Sequence, residues 1–318
     1  MRQNGVALIL VLWVISLLII MAGSFALSLR RESSVTAFIK SNSKAKAVAE
    51  SGLAVAEMML LDKDANKAWR VDGCLYEILA TGAKVRIRLL SETGKIDLNK
   101  ADQRVLQNLL INAPVDEERQ SKLLGAILDW RDPDDLVNIN GAEKVEYEEA
   151  GLNYVPRNKP FDSIEELQLV IGMDKKLFAW IEPLVTVYSE QPAVNFKVAS
   201  KDVLKTIPEL DDDIINAYIL ARVESARNNL PSPPLPMIPS LRSVSAGNDN
   251  AVTVVSEAIL ADNSRASFSV VIKKNEGTNS NPFQVLRWQH TLSNNTSLFS
   301  NEMNDFLVKQ YAQPELSN

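Results

Sequence analysis

VALILVLWVISLLIIMAGSFALSL, residues 6–29, holds no charged side chain, and the five residues before it are Met1-Arg2-Gln3-Asn4-Gly5. As a helix rising about 1.5 Å per residue, the run reaches roughly 36 Å, enough to cross a hydrocarbon core of about 30 Å with modest tilt. It is longer than the apolar core of a secretory signal, which runs about 7–15 residues. Gly5 stands in front of the run. A cut between Gly5 and Val6 therefore leaves the mature chain with its whole apolar helix. Ser24-Phe25-Ala26 offers a competing cut behind the core, and an uncut anchor is the third reading. Arg2 flanks one end, and Arg30 and Arg31 the other, so charge does not orient the segment.

Helical periodicity continues outward. Val35, Phe38, Ile39, Ala45, Val48, Ala49, Leu53, Ala56 and Leu60 recur at three- and four-residue spacing, and no proline appears before Pro114. The pattern predicts one helix from about Val6 to Leu61, apolar all round in its first half and amphipathic in its second. Ala83–Leu90 alternates as a strand. Ala251–Leu260, Ser267–Lys273 and Gln284–Leu292 read as three more, with turns at Asp262–Ser264 and Glu276–Pro282.

A motif appears twice between these strands. Ile96-Asp97-Leu98-Asn99-Lys100-Ala101-Asp102-Gln103-Arg104-Val105-Leu106 matches Val194-Asn195-Phe196-Lys197-Val198-Ala199-Ser200-Lys201-Asp202-Val203-Leu204 at the first, third, sixth, tenth and eleventh places. Each copy predicts an extended segment, a cap at Asp102 or Ser200, then a helix. A further helix is expected over Ile164, Leu167, Val170 and Ile171, ended by Gly172, with another from Leu177 to Ile181. These units resemble helix-hairpin-helix and SAM-like modules. Helix-hairpin-helix DNA binding needs backbone N–H groups facing phosphate. Here Ile171-Gly172-Met173-Asp174 places a carboxylate there, so helix packing is the expected role. Asn228–Pro239 holds five prolines and reads as a linker.

The composition suits a membrane segment plus a globular head: 318 residues, 46% hydrophobic, net charge −6 and a pI near 5.1. The acidic balance gives no support for a nucleic-acid partner. Cys74 and His290 are the only residues of their types, which excludes zinc sites needing several such ligands. No G-x-S-x-G surrounds a serine, and no enzyme is expected. Cys74 is expected to be a buried apolar residue.

One constellation carries possible chemistry: Asp129-Trp130-Arg131-Asp132-Pro133-Asp134-Asp135, then Asn140-Gly141-Ala142-Glu143-Lys144-Val145-Glu146-Tyr147. Pro133 stops the preceding helix. Crowded carboxylates in the turn cost energy unless a cation neutralises them. Hard oxygen ligands on irregular backbone suit calcium, with Asp132, Asp134, Asp135, Glu143 and Glu146 as candidate ligands. The alternative is helix capping plus pairing with Arg131 or Lys144.

The leader and long helix resemble those of type IV pilin-like proteins, with Gly5 and Val6 as the prepilin-peptidase site. Most members carry glutamate at mature position five, where this chain has Leu10. DWRDPDD followed by NGAE and tyrosine, GKIDLN, AVNFKVA and PFDSIEEL are similar to the motifs of the minor pseudopilin K family of type II secretion systems. Lys197 departs from that family's asparagine, and unpaired Cys74 leaves no place for an intrachain disulfide.

The resemblance implies an α+β fold: a pilin helix on an antiparallel sheet, with an inserted all-α domain. Expected boundaries are 1–5 leader, 6–29 transmembrane, 30–91 amphipathic helix and first strand, 92–228 insert, 229–250 linker and 251–318 C-terminal strands. It also implies calcium. Expected partners are minor pseudopilins I, J and H, major pseudopilin G and the prepilin peptidase. The expected location is the Gram-negative inner membrane, single pass, with the head in the periplasm at a pseudopilus tip. A membrane-anchored helix-hairpin-helix DNA-binding protein is the alternative.

Overall fold

The computed structural model describes residues 4–62, 64, 68–236, 250–275, 281–290 and 297–312. One helix, α1, runs unbroken from Asn4 to Leu61. Its apolar first half is exposed throughout the described residues 7–29, and Leu10 is 61% exposed. Burial begins at Ala45 and continues at Ala49, Gly52 and Ala56, a face of small residues spaced three and four apart. Small side chains let the helix axis approach a sheet closely. A Cβ on Gly52 would stand 2.5 Å from Ser256 Oγ and 3.1 Å from Val85 Cγ1. Ser256 Oγ donates to the Ala49 carbonyl at 2.9 Å, fastening helix to sheet.

After α1 come β1 (Asp72–Ala80), β2 (Ala83–Ser91), β3 (Ile96–Asp97), α2 (Gln103–Ile111) and α3 (Glu117–Arg131). Then follow α4 (Lys144–Glu149), a 3-10 turn (Ile164–Leu169), α5 (Lys175–Ile181), β4 (Val185–Thr186), α6 (Lys201–Leu204) and α7 (Asp212–Arg227). The chain closes with β5 (Ala251–Leu260), β6 (Arg265–Lys274), β7 (Phe283–Gln289), α8 (Asn301–Asn304) and β8 (Leu307–Ala312). The main sheet has the order β7-β6-β5-β2-β1-β8. Strand β2 pairs antiparallel with β5, Ala83 opposite Leu260 and Ser91 opposite Val252, although about 160 residues separate them. The helices α2–α7 lie in that interval.

Three expectations need correction. The sheet is not wholly antiparallel, because β8 adds to β1 in parallel, Leu75 facing Leu307. The insert is not wholly helical, because β3 and β4 form a two-stranded parallel pair. Strand β1 escaped sequence reading because it does not alternate: residues 72–77 are all buried, and its pairing slips between Asp72 and Leu75. Its charges mislead as well. Glu77 is buried against Arg86 at 2.6 Å, and Asp72 against Arg70 at 2.8 Å. The helix expected over Ile164–Ile171 is the shorter 3-10 turn, and Gly172 follows it at φ +86°. The turn at 276–280 and the end of the last predicted strand at 291–292 lie outside the described residues.

The duplicated motif folds twice in the same way. Asp102 accepts from Val105 N at 2.8 Å, and Ser200 from Val203 N at 3.3 Å, each capping its helix. Asp97 Oδ1 accepts from Asn99 N, and Asn195 Oδ1 from Lys197 N, closing the same turn in each copy. An arginine then clamps each loop. Arg131 donates to the Leu98 and Ala101 carbonyls, and Arg222 to those of Lys197 and Ala199. The copies abut: a Cβ on Gly94 would lie 2.9 Å from the Val198 carbonyl oxygen. The insert has its own core, including Trp130, Tyr147, Leu106 and Leu123. The head core lies between α1 and the sheet, and Val223 and Ala226 of α7 reach into it.

A candidate cation site in the acidic loop

Helix α3 starts on Asp116, which accepts from Arg119 N, and stops at Arg131 because Pro133 cannot continue it. The chain from Asp132 to Glu143 then folds back over the end of α3. Asp129, fully buried, holds it there. Its Oδ1 accepts from Asn138 N at 3.0 Å and Asn138 Nδ2 at 2.5 Å, and its Oδ2 from Ala142 N at 2.6 Å. Sequence reading placed Asp129 in the constellation and not among the key residues. The missed signal was its helical position: three residues before Asp132, it falls on the inward face of α3 with Ala126 and Trp130. Two glycines make room for the fold-back. A Cβ on Gly141 would collide with the Asp129 carboxylate, and one on Gly125 would stand 2.5 Å from Gly141 N. Asn140 takes the left-handed conformation, φ +60°, to complete the turn.

The candidate ligands are thereby gathered around one loop. Asp132 Oδ2 accepts from Asn138 Nδ2 at 3.2 Å, Asp134 Oδ1 from Leu136 N at 2.9 Å, and Asp135 Oδ1 from Asn158 Nδ2 at 2.8 Å. Glu143 is buried at the start of α4. Glu146 is differently placed: its Oε2 accepts from Glu143 N at 2.8 Å, a capping box. Neither expected basic partner arrives. Arg131 is spent on backbone carbonyls, and Lys144 pairs with Glu148 at 3.7 Å. Among the described residues Asp129, Asp132, Asp134, Asp135 and Glu143 make no ion pair.

The electrostatics record that deficit. Burial, then Asp129, Asp132, Asp135 and Asp134, push the Glu143 carboxyl up to about 7. Burial, then Asp134 and Asp129, push Asp132 up too. Three buried oxygens here find no hydrogen donor: Asp132 Oδ1, Glu143 Oε1 and Asn158 Oδ1. All are hard acceptors, the donor set a calcium ion takes. Carboxylates alone do not form the cage. No group of three His, Cys, Asp or Glu side chains among the described residues is close enough to hold a metal. A bound ion would therefore draw on amide or backbone oxygens as well, and Asn158 supplies one within reach of Asp134 and Asp135.

The motifs around the loop form one network. Asn99 of GKIDLN bonds the Phe161 backbone on both sides, at 2.9 and 2.7 Å. Phe161 of PFDSIEEL stacks on Trp130 of DWRDPDD, 6.1 Å between ring centres. Tyr147 packs on Trp130 and accepts from Ile171 N at 3.0 Å. In the 171–174 hairpin, the Asp174 carboxylate occupies the N-terminus of α5, accepting from Leu177 N, and Arg119 holds the same carboxylate at 2.6 Å.

Residues 83–190 match the sequence model of the type II secretion system (T2SS) protein K. Type II secretion system protein K of Klebsiella pneumoniae is 26% identical over 214 residues, covering 60% of this chain and 64% of that protein. The Aeromonas hydrophila protein is 28% identical over 213 residues, covering 58% and 63%. The chain thus spans just under two thirds of these relatives. Protein K of Dickeya chrysanthemi is 32% identical over 84 residues, 26% of this chain and 23% of the relative. Among solved structures, the GspK-GspI-GspJ complex of the enterotoxigenic Escherichia coli Type 2 Secretion System aligns with 83% of this chain and 99% of the matched chain, at 16% identity and a TM-score of 0.49. Residues 83–190 are thus similar to the type II secretion system protein K domain, and the chain is similar to the Klebsiella and Aeromonas proteins over about 60% of its length.

Proposed function

We propose that this protein is a minor pseudopilin of a type II secretion system, anchored in the inner membrane with its head in the periplasm, and that it caps a pseudopilus tip. The observation that carries the reading is α1: one helix, bare and apolar over residues 7–29, then packed on its own sheet from Ala45 onward. A simple anchor has no use for that continuity. A subunit whose first half-helix packs among neighbouring helices has. Leu10 fits a terminal position, where no subunit above needs a carboxylate at that place. The insert between β2 and β5 adds bulk that a repeating lattice would have to accommodate at every turn, and a tip does not. Partners on this reading are minor pseudopilins I, J and H and major pseudopilin G, with the prepilin peptidase cutting between Gly5 and Val6. The role is structural, with no catalysis and no nucleic acid.

Calcium belongs to the same reading. Asp132 and Glu143, with the Asn158 amide, offer its proposed ligands through their unbonded buried oxygens, and Asp134, Asp135 and Glu146 would have to rotate toward the ion to join them. The decisive measurement is the N-terminal residue of the protein purified from its membrane. Val6 supports the proposal, and N-methylation would strengthen it. An intact Met1, or a terminus near Leu27, overturns it.

A further inference from the structure

Between Pro133 and Gly141 the usual order of a surface loop is reversed. Asn138 points its amide inward to Asp129 and Asp132, and Asn140 donates to Ser121 Oγ at 2.9 Å. The apolar residues around them face solvent: Leu136 is 75%, Val137 51% and Ile139 88% exposed. Single exposed apolar side chains are ordinary. Three within four positions, on a loop pinned by its polar residues, form a presented surface. The pins are specific: Leu136 N to Asp134, Asn138 N to Asp129, and Gly141 N to the Asn138 carbonyl at 2.8 Å. Burying Val137 and Ile139 inward would break them.

We propose that the 134–139 loop is a docking knob for a partner protein whose surface offers an apolar socket rimmed by lysine or arginine. Charge selects that occupant. Asp134 and Asp135 are exposed beside the apolar residues and lack a cationic partner among the described residues. One divalent ion would leave Asp132, Asp134, Asp135 and Glu143 of the fold-back and Asp129 beneath them net negative together, so a basic rim is favoured with or without metal. An anionic lipid surface is disfavoured by the same charge. The proposal goes beyond the pseudopilin reading and does not rest on it.

The test uses the full chain, expressed in its native host, with Ile139 replaced by the photo-crosslinking residue p-benzoyl-phenylalanine. Leu220, 60% exposed on α7, carries the same residue as control. The expected result is one protein adduct at 139 and none at 220, with a crosslinked peptide that sequences as apolar residues flanked by Lys or Arg. Leu136→Asp lowers the adduct yield by about tenfold, and Leu136→Val largely restores it. Both variants melt as wild type does, because Leu136 buries little. No protein adduct, a phospholipid adduct, an adduct to a second copy of this chain, or an acidic crosslinked peptide would each overturn the proposal.

Discussion

Asp129 is the residue on which the acidic loop depends, and Asp129→Ala measures by how much. The substitution removes a buried acceptor of three hydrogen bonds, two from Asn138 and one from Ala142 N, which is itself buried. Hydrogen bonds to a charged group contribute about 1.5–3 kcal/mol each, and an orphaned buried N–H costs about 1–3 kcal/mol. These overlap, and relief of repulsion on Glu143 and Asp132 offsets part of the loss. A net destabilisation of about 3 kcal/mol follows, which at about 2–4 °C per kcal/mol lowers the melting temperature by roughly 6–12 °C. Asp129→Asn keeps one acceptor but turns an NH2 toward donors, so it should cost about half as much. The assay is thermal unfolding of the full chain in detergent with EDTA, so that metal binding does not mask the hydrogen-bond loss. If Asp129→Ala melts within about 2 °C of wild type, the loop is not held by this carboxylate and the account of the site fails.

In calcium buffer the same protein should melt higher than in EDTA, and Asp132→Asn or Asn158→Ala should shrink the difference; equal curves in both buffers refute the cation site. The metal-free protein should lose stability as pH rises. Glu143 titrates near 7 folded against about 4.5 unfolded, so its contribution is complete below about pH 4.5 and gone above about pH 7, at most about 3 kcal/mol, and Glu143→Gln should flatten that slope. Gly52→Val should destabilise the head by about 1–3 kcal/mol or more, since its side chain meets Ser256, Val85 and Ile87, whereas Gly82→Ala meets nothing and should be limited to the strain of its positive φ. Arg131→Met and Arg222→Met should cost similar amounts, about 2–4 kcal/mol, because each strips a charged donor from two carbonyls of its own copy; denaturant midpoints that differ widely would show the copies are not equivalent.

Much of this molecule was legible in its sequence, because much of it is governed by local rules. An uncharged run reports its own length, and a three-to-four periodicity survives from Val35 to Leu60 as α1. Asp102 and Ser200 cap the helices they precede because a short acceptor side chain needs only the next turn. Alternation found β2, and apolar, β-branched runs set off by turn residues found β5 and β6. It could not find β1, buried on both faces with its charges paired, nor β8, a short strand whose place is set by β1.

What tertiary structure alone decided was which partners each polar group would have. Sequence proximity suggested that Arg131 or Lys144 would neutralise the acidic turn. Folding sends Arg131 to the carbonyls of the first repeat and leaves the carboxylates facing one another. It also makes Asp129 the anchor of the loop and brings in Asn158, more than twenty residues away, as a further oxygen. Helix, cap and membrane run follow from forces acting over a few residues and can be read along the chain. A charge deficit depends on distances between segments remote in sequence, and those exist only once the core has closed.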